Sequence, residues 1–348
     1  MTMKVARYYA PEDLRIEEAT VPAPGPGELL LKVRNCATCG TDAKIYYHGH
    51  HHIVPPRVIG HEVAGEVVAL GEGTTGFSAG DRVQLIAAVP CGDCRECRRG
   101  NMTVCERLTS IGYHYDGGFA EYLVVPELVL RVGGLNRIPD HVSFEEAAMT
   151  EPLACVLNGQ ELARVGAGDD VVVIGTGPIG CLHARLARAR GAAHVAIVEQ
   201  SAERLALAVD RVSPDAAFLA GDQDPVDAVR EFTDGRGADV VLVAAASGAA
   251  QMEALEMLAP RGRVSLFAGL PKDAPTITLD ANRVHYRELT VVGAAGSTPA
   301  QNAAALALIA NDEVPVLDLI THRMPLERVH EAIAGVRNGT GIKYVIAP

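Results

Sequence analysis

Tryptophan is absent from this 348-residue chain, and aromatic residues of every kind make up 4% of it. A large flat apolar pocket is hard to line without such rings, so a bulky hydrophobic ligand is disfavoured. Basic runs are missing as well. No stretch of Lys or Arg exceeds two residues and the formal net charge is −12, which argues against nucleic acid as a partner. No apolar run approaches the ~18 residues of a membrane span. The opening MTMKVARYYAPEDLRIEE carries charge where a secretory leader has its apolar core. The chain thus reads as cytoplasmic, with no membrane partner.

What is present describes a folded protein. Apolar residues make up 48% and charged residues 21%, outside the range of disordered chains. The length exceeds what one core usually supports, so two domains are expected. Residues 1–35 alternate apolar and polar, interrupted by Pro22-Ala-Pro-Gly-Pro-Gly27, and similar strands recur at 63–70 and 81–86 with glycine turns between. The first 150 or so residues therefore read as a small strand-and-turn barrel. From Ser143 the character changes. Ser143-Phe-Glu-Glu146 has capping-box spacing and opens a helix to about residue 164. Apolar runs at 170–174, 194–198, 238–244, 263–267 and 289–292 alternate with helical segments, which predicts a doubly wound parallel sheet. Helices at 299–310 and near 326–335, then a strand at 343–346, predict a tail returning to the first domain.

Eight cysteines occur, and four lie close together: Cys91, Cys94, Cys97 and Cys105. Gaps of two, two and seven residues in a polar segment suit a closed tetrahedral structural zinc, with an iron–sulfur cluster as the competing reading. Such an ion would staple a loop too polar to fold by burial. It has no open coordination position, so the lobe is structure and not chemistry.

A second donor set spans residues 35–62. Cys39 precedes the pair His61-Glu62 by 22 positions, and thiolate, imidazole and carboxylate are the side chains that bind a catalytic zinc. Glu62 binds directly, through water, or in only part of a reaction cycle. Asp42 is of the right type to hold the imidazole N–H of His61. Glu151 is a fourth ligand or a holder of the metal's water, and Cys36 and Cys155 are packed small hydrophobes. Gly65 stands where a zincin peptidase helix has its second histidine, which removes that reading.

Gly175-Thr-Gly-Pro-Ile-Gly180 follows one predicted strand and opens a helix. The spacing fits a dinucleotide loop: Gly175 for the tight turn, Gly177 for approach of the pyrophosphate, Gly180 for helix–strand contact. Glu199, 24 residues past Gly175, ends the next strand, where an acid takes the ribose hydroxyls. A carboxylate there repels a 2′-phosphate and favours NAD, while Arg204 leaves NADP open.

Taken together, Gly60-His-Glu62, the four-cysteine lobe and the glycine loop make the chain similar to the zinc-dependent medium-chain alcohol dehydrogenases, from Val5 to the closing GIKYVI. Thr150-Glu-Pro-Leu153, with Glu151 where the liver-type enzymes have cysteine, resembles the sorbitol (polyol) and threonine dehydrogenase branch. The resemblance implies an α/β protein: a GroES-like β-barrel catalytic domain over 1–156 and 293–348, with a structural-zinc lobe at 90–106, and a Rossmann NAD(P)-binding domain over 157–292. It maps Cys39, His61, Glu62 and Glu151 onto the catalytic zinc surroundings and Cys91, Cys94, Cys97 and Cys105 onto the structural zinc. It maps Gly175, Gly177, Pro178, Ile179, Gly180, Glu199 and Arg204 onto cofactor contacts, with Gly269, Leu270, Ala294 and Ala295 in the loops over the nicotinamide. Thr41 takes the substrate proton, and Lys44 stands in the outer relay where many relatives have histidine. The implied activity is oxidation of a polyol, cyclitol or other secondary alcohol to a ketone with NAD, and L-threonine is the alternative substrate. A homodimer or homotetramer is implied.

Two readings stay open beside it. A zinc-stabilised nucleotide sensor without turnover needs none of Cys39, Thr41, His61 and Glu151 together. The tract Tyr46-Tyr-His-Gly-His-His-His-Ile53 meets a hydroxyl-rich substrate, is a solvated loop, or takes up metal adventitiously.

Overall fold

The strand Leu29–Ala37 is the axis of the first unit, and its burial on nearly every residue follows from having neighbours on both sides. Its partners are Glu62–Leu70, Tyr122–Val125 and Lys343–Ala347, all antiparallel to it. Arg82–Leu85 and Leu135–Arg137 extend the sheet on one side and Ile320–Pro325 on the other. A second sheet joins Thr2–Ala10 with Asp13–Thr20 and Arg57–Val58. Leu29, Leu31, Ile45, Ile59, Phe119 and Ile346 fill the core they enclose.

Register matters most at the end of the axial strand. Ala37 faces Glu62 on one flank and Val345 on the other, and the Thr38 N–H bonds the Tyr344 carbonyl at 3.0 Å. Cys39, Glu62 and Lys343 are thereby gathered at one place although the chain separates them widely.

The computed structural model describes residues Met1–Pro348. Met1–Ala154 with Gly296–Pro348 make the first compact unit, and Cys155–Ala295 make the second. The second unit holds a six-stranded parallel sheet in the order Ala216–Leu219, His194–Glu199, Asp170–Ile174, Ala238–Val243, Leu258–Leu266, Thr290–Gly293. In chain order that is 3-2-1-4-5-6, the doubly wound arrangement whose switch point lies between Asp170–Ile174 and Ala238–Val243. Val171, Val172 and Val173 are fully buried, as an unbroken apolar run in a parallel sheet requires. The α/β class and doubly wound sheet agree with the sequence reading. No helix is long and apolar enough to cross a membrane.

Two differences from that reading have physical causes. The helix expected over 143–164 is two helices, Phe144–Ala148 and Thr150–Leu162. Ser143 caps the first as expected, accepting from the Glu146 N–H at 3.2 Å while Glu146 Oε2 accepts from the Ser143 N–H at 2.8 Å. Pro152, lacking an N–H, is tolerated only in a first turn, so the helix restarts just before it. That restart sets Glu151 in the first turn of the new helix. The second difference is Gly40–His48, a helix that the sequence reading left unassigned.

Candidate metal centres and cofactor loop

Gly60 sets up the first centre. Its φ is +93° and a Cβ there would meet Phe119 Cδ1 at 2.8 Å, so only glycine turns the chain into His61. One ligand atom each from Cys39, His61 and Glu62 lie within 4.8 Å of one another, close enough to share an ion. Cys39 caps the helix Gly40–His48, and its N–H bonds Asp42 Oδ2 at 2.8 Å. The other oxygen of that fully buried carboxylate, Oδ1, stands 3.5 Å from His61 Nδ1, and neither atom has a completed hydrogen bond. An imidazole whose other nitrogen holds a metal presents its N–H to such a carboxylate, so the donor set suits zinc. Burial disfavours the imidazolium, but the Asp42 carboxylate outweighs it and holds His61 well above the usual histidine range.

Thr41 places its hydroxyl 3.5 Å from Cys39 Sγ. Lys44 is exposed one turn further along the same helix. Glu151 is buried and close enough for its charge to act on Glu62 and Lys343, but it is not in the group whose ligand atoms lie within 4.8 Å of one another. Cys36 is fully buried with its Sγ 3.7 Å from the Ala37 carbonyl, a packed thiol.

Two residues of this site escaped the sequence reading. Lys343 Nζ lies 2.6 Å from Glu62 Oε2 and 2.8 Å from Oε1, with both side chains almost wholly out of solvent. Burial pushes the Glu62 carboxyl upward against the pull of Lys343. Lys343, also disfavoured by burial, is held above the ordinary lysine range by Glu62. Tyr113 sets its ring 6.0 Å from His61, and burial pushes its phenol up. Only the strand register could have pointed to Lys343, and nothing local marks Tyr113.

At the second centre Cys91, Cys94, Cys97 and Cys105 are all buried with their sulfurs within 4.8 Å of one another. Sulfur separations of 3.4 Å (Cys105–Cys91), 3.8 Å (Cys94–Cys105) and 3.9 Å (Cys91–Cys97) bracket the ~3.8 Å edge of a tetrahedron with Zn–S near 2.3 Å. One ion fits that space better than an iron–sulfur cluster. The short helix Arg95–Arg98 turns backbone amides on the sulfurs, and the Cys97 N–H, 3.4 Å from Cys94 Sγ, is the leading cause that pulls the Cys94 thiol down to about 6.

In the second unit the glycine loop runs from the end of Asp170–Ile174 into the helix Pro178–Ala189, whose N-terminus has no side-chain cap. A Cβ on Gly180 would meet the Gly175 carbonyl at 1.8 Å. The uncapped amides and the bare turn suit a pyrophosphate. Glu199, ending the next strand, accepts from the Thr176 N–H and hydroxyl at 2.9 Å each, from the Gln200 N–H at 2.8 Å and from the Ser201 N–H at 3.2 Å. Burial would raise its pKa, but those donors hold it below the usual carboxylate range. Arg204 Nε is 4.0 Å from Glu199 Oε2, and its guanidinium would touch a Cβ on Gly177. Ile179 lies in the first turn of the helix after Pro178. Gly269 and Leu270 follow the strand Leu258–Leu266, and Ala294 and Ala295 follow Thr290–Gly293. All these positions lie past the carboxyl ends of parallel strands, the edge at which such sheets bind ligands.

Comparison with known proteins adds to this geometry. Residues 25–133 match the family model of the alcohol dehydrogenase GroES-like domain, and residues 178–311 match that of zinc-binding dehydrogenases. The chain is 34% identical over 338 residues to a sorbitol dehydrogenase of Halalkalibacterium halodurans, covering 96% of this chain and 95% of that protein. It is 37% identical over 298 residues to an L-threonine 3-dehydrogenase of Pyrococcus horikoshii, covering 84% and 82%. A Sinorhizobium meliloti protein described as a zinc-binding dehydrogenase, solved with NADP, superposes with a TM-score of 0.93 at 30% identity over all of both chains.

Proposed function

Because this chain belongs to the zinc-dependent medium-chain alcohol dehydrogenases, we propose that it oxidises a secondary alcohol of polyol or cyclitol type to a ketone with NAD. The observation that carries the reading is the open donor triangle of Cys39, His61 and Glu62, buried apart from the sulfur side and flanked by a hydroxyl. Zinc held there supplies a Lewis acid that makes the substrate hydroxyl more acidic, and NAD supplies the hydride acceptor.

The remaining work falls to side chains of the protein. Cys39 and His61 hold the ion, Asp42 orients His61, and Lys343 decides how much of the Glu62 carboxylate is free to approach. The Thr41 hydroxyl accepts the substrate proton and hands it outward toward exposed Lys44. Removal of that proton and of one hydride from the carbinol carbon leaves the ketone, NADH and one proton released to solvent. Glu199 takes the ribose hydroxyls by exchanging part of its present set of donors. Its negative charge supports NAD over NADP, although Arg204 is within reach of a phosphate.

The likeness to L-threonine 3-dehydrogenase supports a second substrate, L-threonine, which is also a secondary alcohol. We read the protein as a homodimer or homotetramer. The edge strand Thr290–Gly293 lacks an outer partner and exposes Val291, and Leu279 and Tyr286 in the segment before it are exposed as well. Eight free cysteines, four of them arranged to ligate, support a reducing compartment such as the cytoplasm.

Absorbance of NADH or NADPH at pH 8 over polyols, cyclitols, L-threonine and simple alcohols tests the proposal. A polyol or cyclitol oxidised with NAD, well ahead of NADP, is the expected result. Threonine leading the panel transfers the assignment to the second substrate. No reduction of either cofactor by any member, with two zincs bound per chain, overturns both in favour of a nucleotide sensor.

A further inference from the structure

The histidine tract after the helix Gly40–His48 takes no part in the chemistry above. It folds into a tight group of imidazoles beside Tyr113. His50 and His51 have ring centroids 4.6 Å apart, His50 and His52 5.4 Å, and His51 and His52 4.0 Å. A ring that ligates an ion at 2.0–2.1 Å has its centroid about 3.2 Å from that ion. Two such rings subtending 90–110° have centroids about 4.5–5.2 Å apart, and the three observed separations straddle that window. The rings now stack and tilt, at interplanar angles of 27°, 47° and 44°. His51 and His52 are exposed, so no packed core fixes the side-chain torsions that aim their nitrogens.

The geometry points to a third metal site, formed by His50, His51 and His52, that takes a borderline divalent transition ion such as zinc, nickel or copper(II). Imidazole is the ligand type these ions share, and no carboxylate is needed. His114 is near, with its ring centroid 5.2 Å from that of His52, yet it is not a ligand. Its Nδ1 accepts the Ser110 N–H at 3.1 Å, so the neutral ring carries its proton on Nε2 and has no lone pair to offer. His50 Nδ1 likewise accepts from the His52 N–H, but at 3.3 Å, a longer bond that a metal replaces. The site lies one ring away from the first centre. His50 meets Tyr113 edge-on at 5.0 Å, and Tyr113 faces His61.

Calorimetric titration of nickel chloride into untagged protein carrying two zincs per chain and no excess zinc tests this, with zinc release followed in parallel. The expected result is one nickel taken up per chain without loss of zinc. That uptake is lost in His51→Gln/His52→Gln and kept in His114→Gln. No uptake, uptake matched by zinc release, or uptake that survives the double substitution overturns the site. Loss of uptake in His114→Gln as well overturns the ligand assignment. The single variant His52→Gln carries the same test if the double variant does not fold, and zinc content with a melting curve establishes folding. None of these readouts depends on turnover, so failure here leaves the proposed oxidation untouched.

Discussion

Lys343 and Glu62, 281 residues apart in the chain, meet as a buried ion pair with Nζ between the two carboxylate oxygens at 2.6 and 2.8 Å. The C-terminal strand is therefore part of the candidate metal centre. Lys343→Met leaves a buried carboxylate without its partner, a change that costs about 3–5 kcal/mol. Chemical denaturation should show that loss. Lys343→Met/Glu62→Gln should recover most of it, because the uncompensated charge is gone. A single variant as stable as the parent contradicts the pairing.

The proton step rests on the Thr41 hydroxyl. Thr41→Val keeps the shape and removes the acceptor, so kcat should fall about 10²–10⁴-fold, the usual range for a positioned acid–base group. Thr41→Ser should retain much of the activity. Lys44→Ala, at an exposed position, should change the rate less than Thr41→Val does. If Thr41→Val turns over normally, the proton leaves by another path.

Removal of a lobe thiolate should separate the two metals. Cys94→Ser is expected to lower zinc from two per chain to one and to destabilise the fold, since a structural zinc contributes on the order of 10 kcal/mol of binding free energy. Elemental analysis with a thermal melt reads both. An unchanged zinc count would remove the lobe from the metal inventory.

The glycine-loop unit carries a pH signature of its own. His183 is fully buried, its Nδ1 is 3.4 Å from Gln160 Nε2, its ring is edge-on to Phe267 and its Nε2 has no partner. Burial lowers its pKa to about 3. The unfolded chain takes up a proton near pH 6.5 and the folded chain does not, so stability is full above pH 6.5. It falls as the pH drops toward 3, by about 1.4 kcal/mol per unit. Denaturation curves between pH 6 and 4 should show a slope steeper by one proton in the parent than in His183→Leu. Equal slopes contradict the assignment.

Cofactor choice should respond to Glu199. Hydrogen bonds to a charged group are worth about 1.5–3 kcal/mol, so Glu199→Ala should raise KM for NAD roughly 10–100-fold. The same change should narrow or reverse the preference over NADP, since Arg204 remains. Initial rates with each cofactor decide this, and an unaltered preference removes Glu199 from the ribose site.

Much of this was legible in the chain because short spacings carried it. Four cysteines in one polar loop, and glycines between a strand and a helix, are local patterns with local causes. The helix Pro299–Ala310 falls where its residues predict it. What escaped depends on register and burial. Lys343 looks like the first residue of an ordinary edge strand until the pairing of Val345 with Ala37 brings it onto Glu62, and a lysine in a strand is normally read as solvated. Gly40–His48 was hidden because Ile45 is its only large aliphatic residue, too few to show a helical period, and Asp42 stabilises its first turn through the Cys39 N–H. The restart at Thr150 was readable from Pro152, whose missing donor forces a first turn.

The most direct test is the zinc content and NADH formation of Cys39→Ser, with the four lobe cysteines intact. An ion held by Cys39, His61 and a carboxylate predicts one zinc per chain in place of two and no alcohol oxidation, in a protein that still melts cooperatively. Two zincs, or undiminished oxidation, would contradict it.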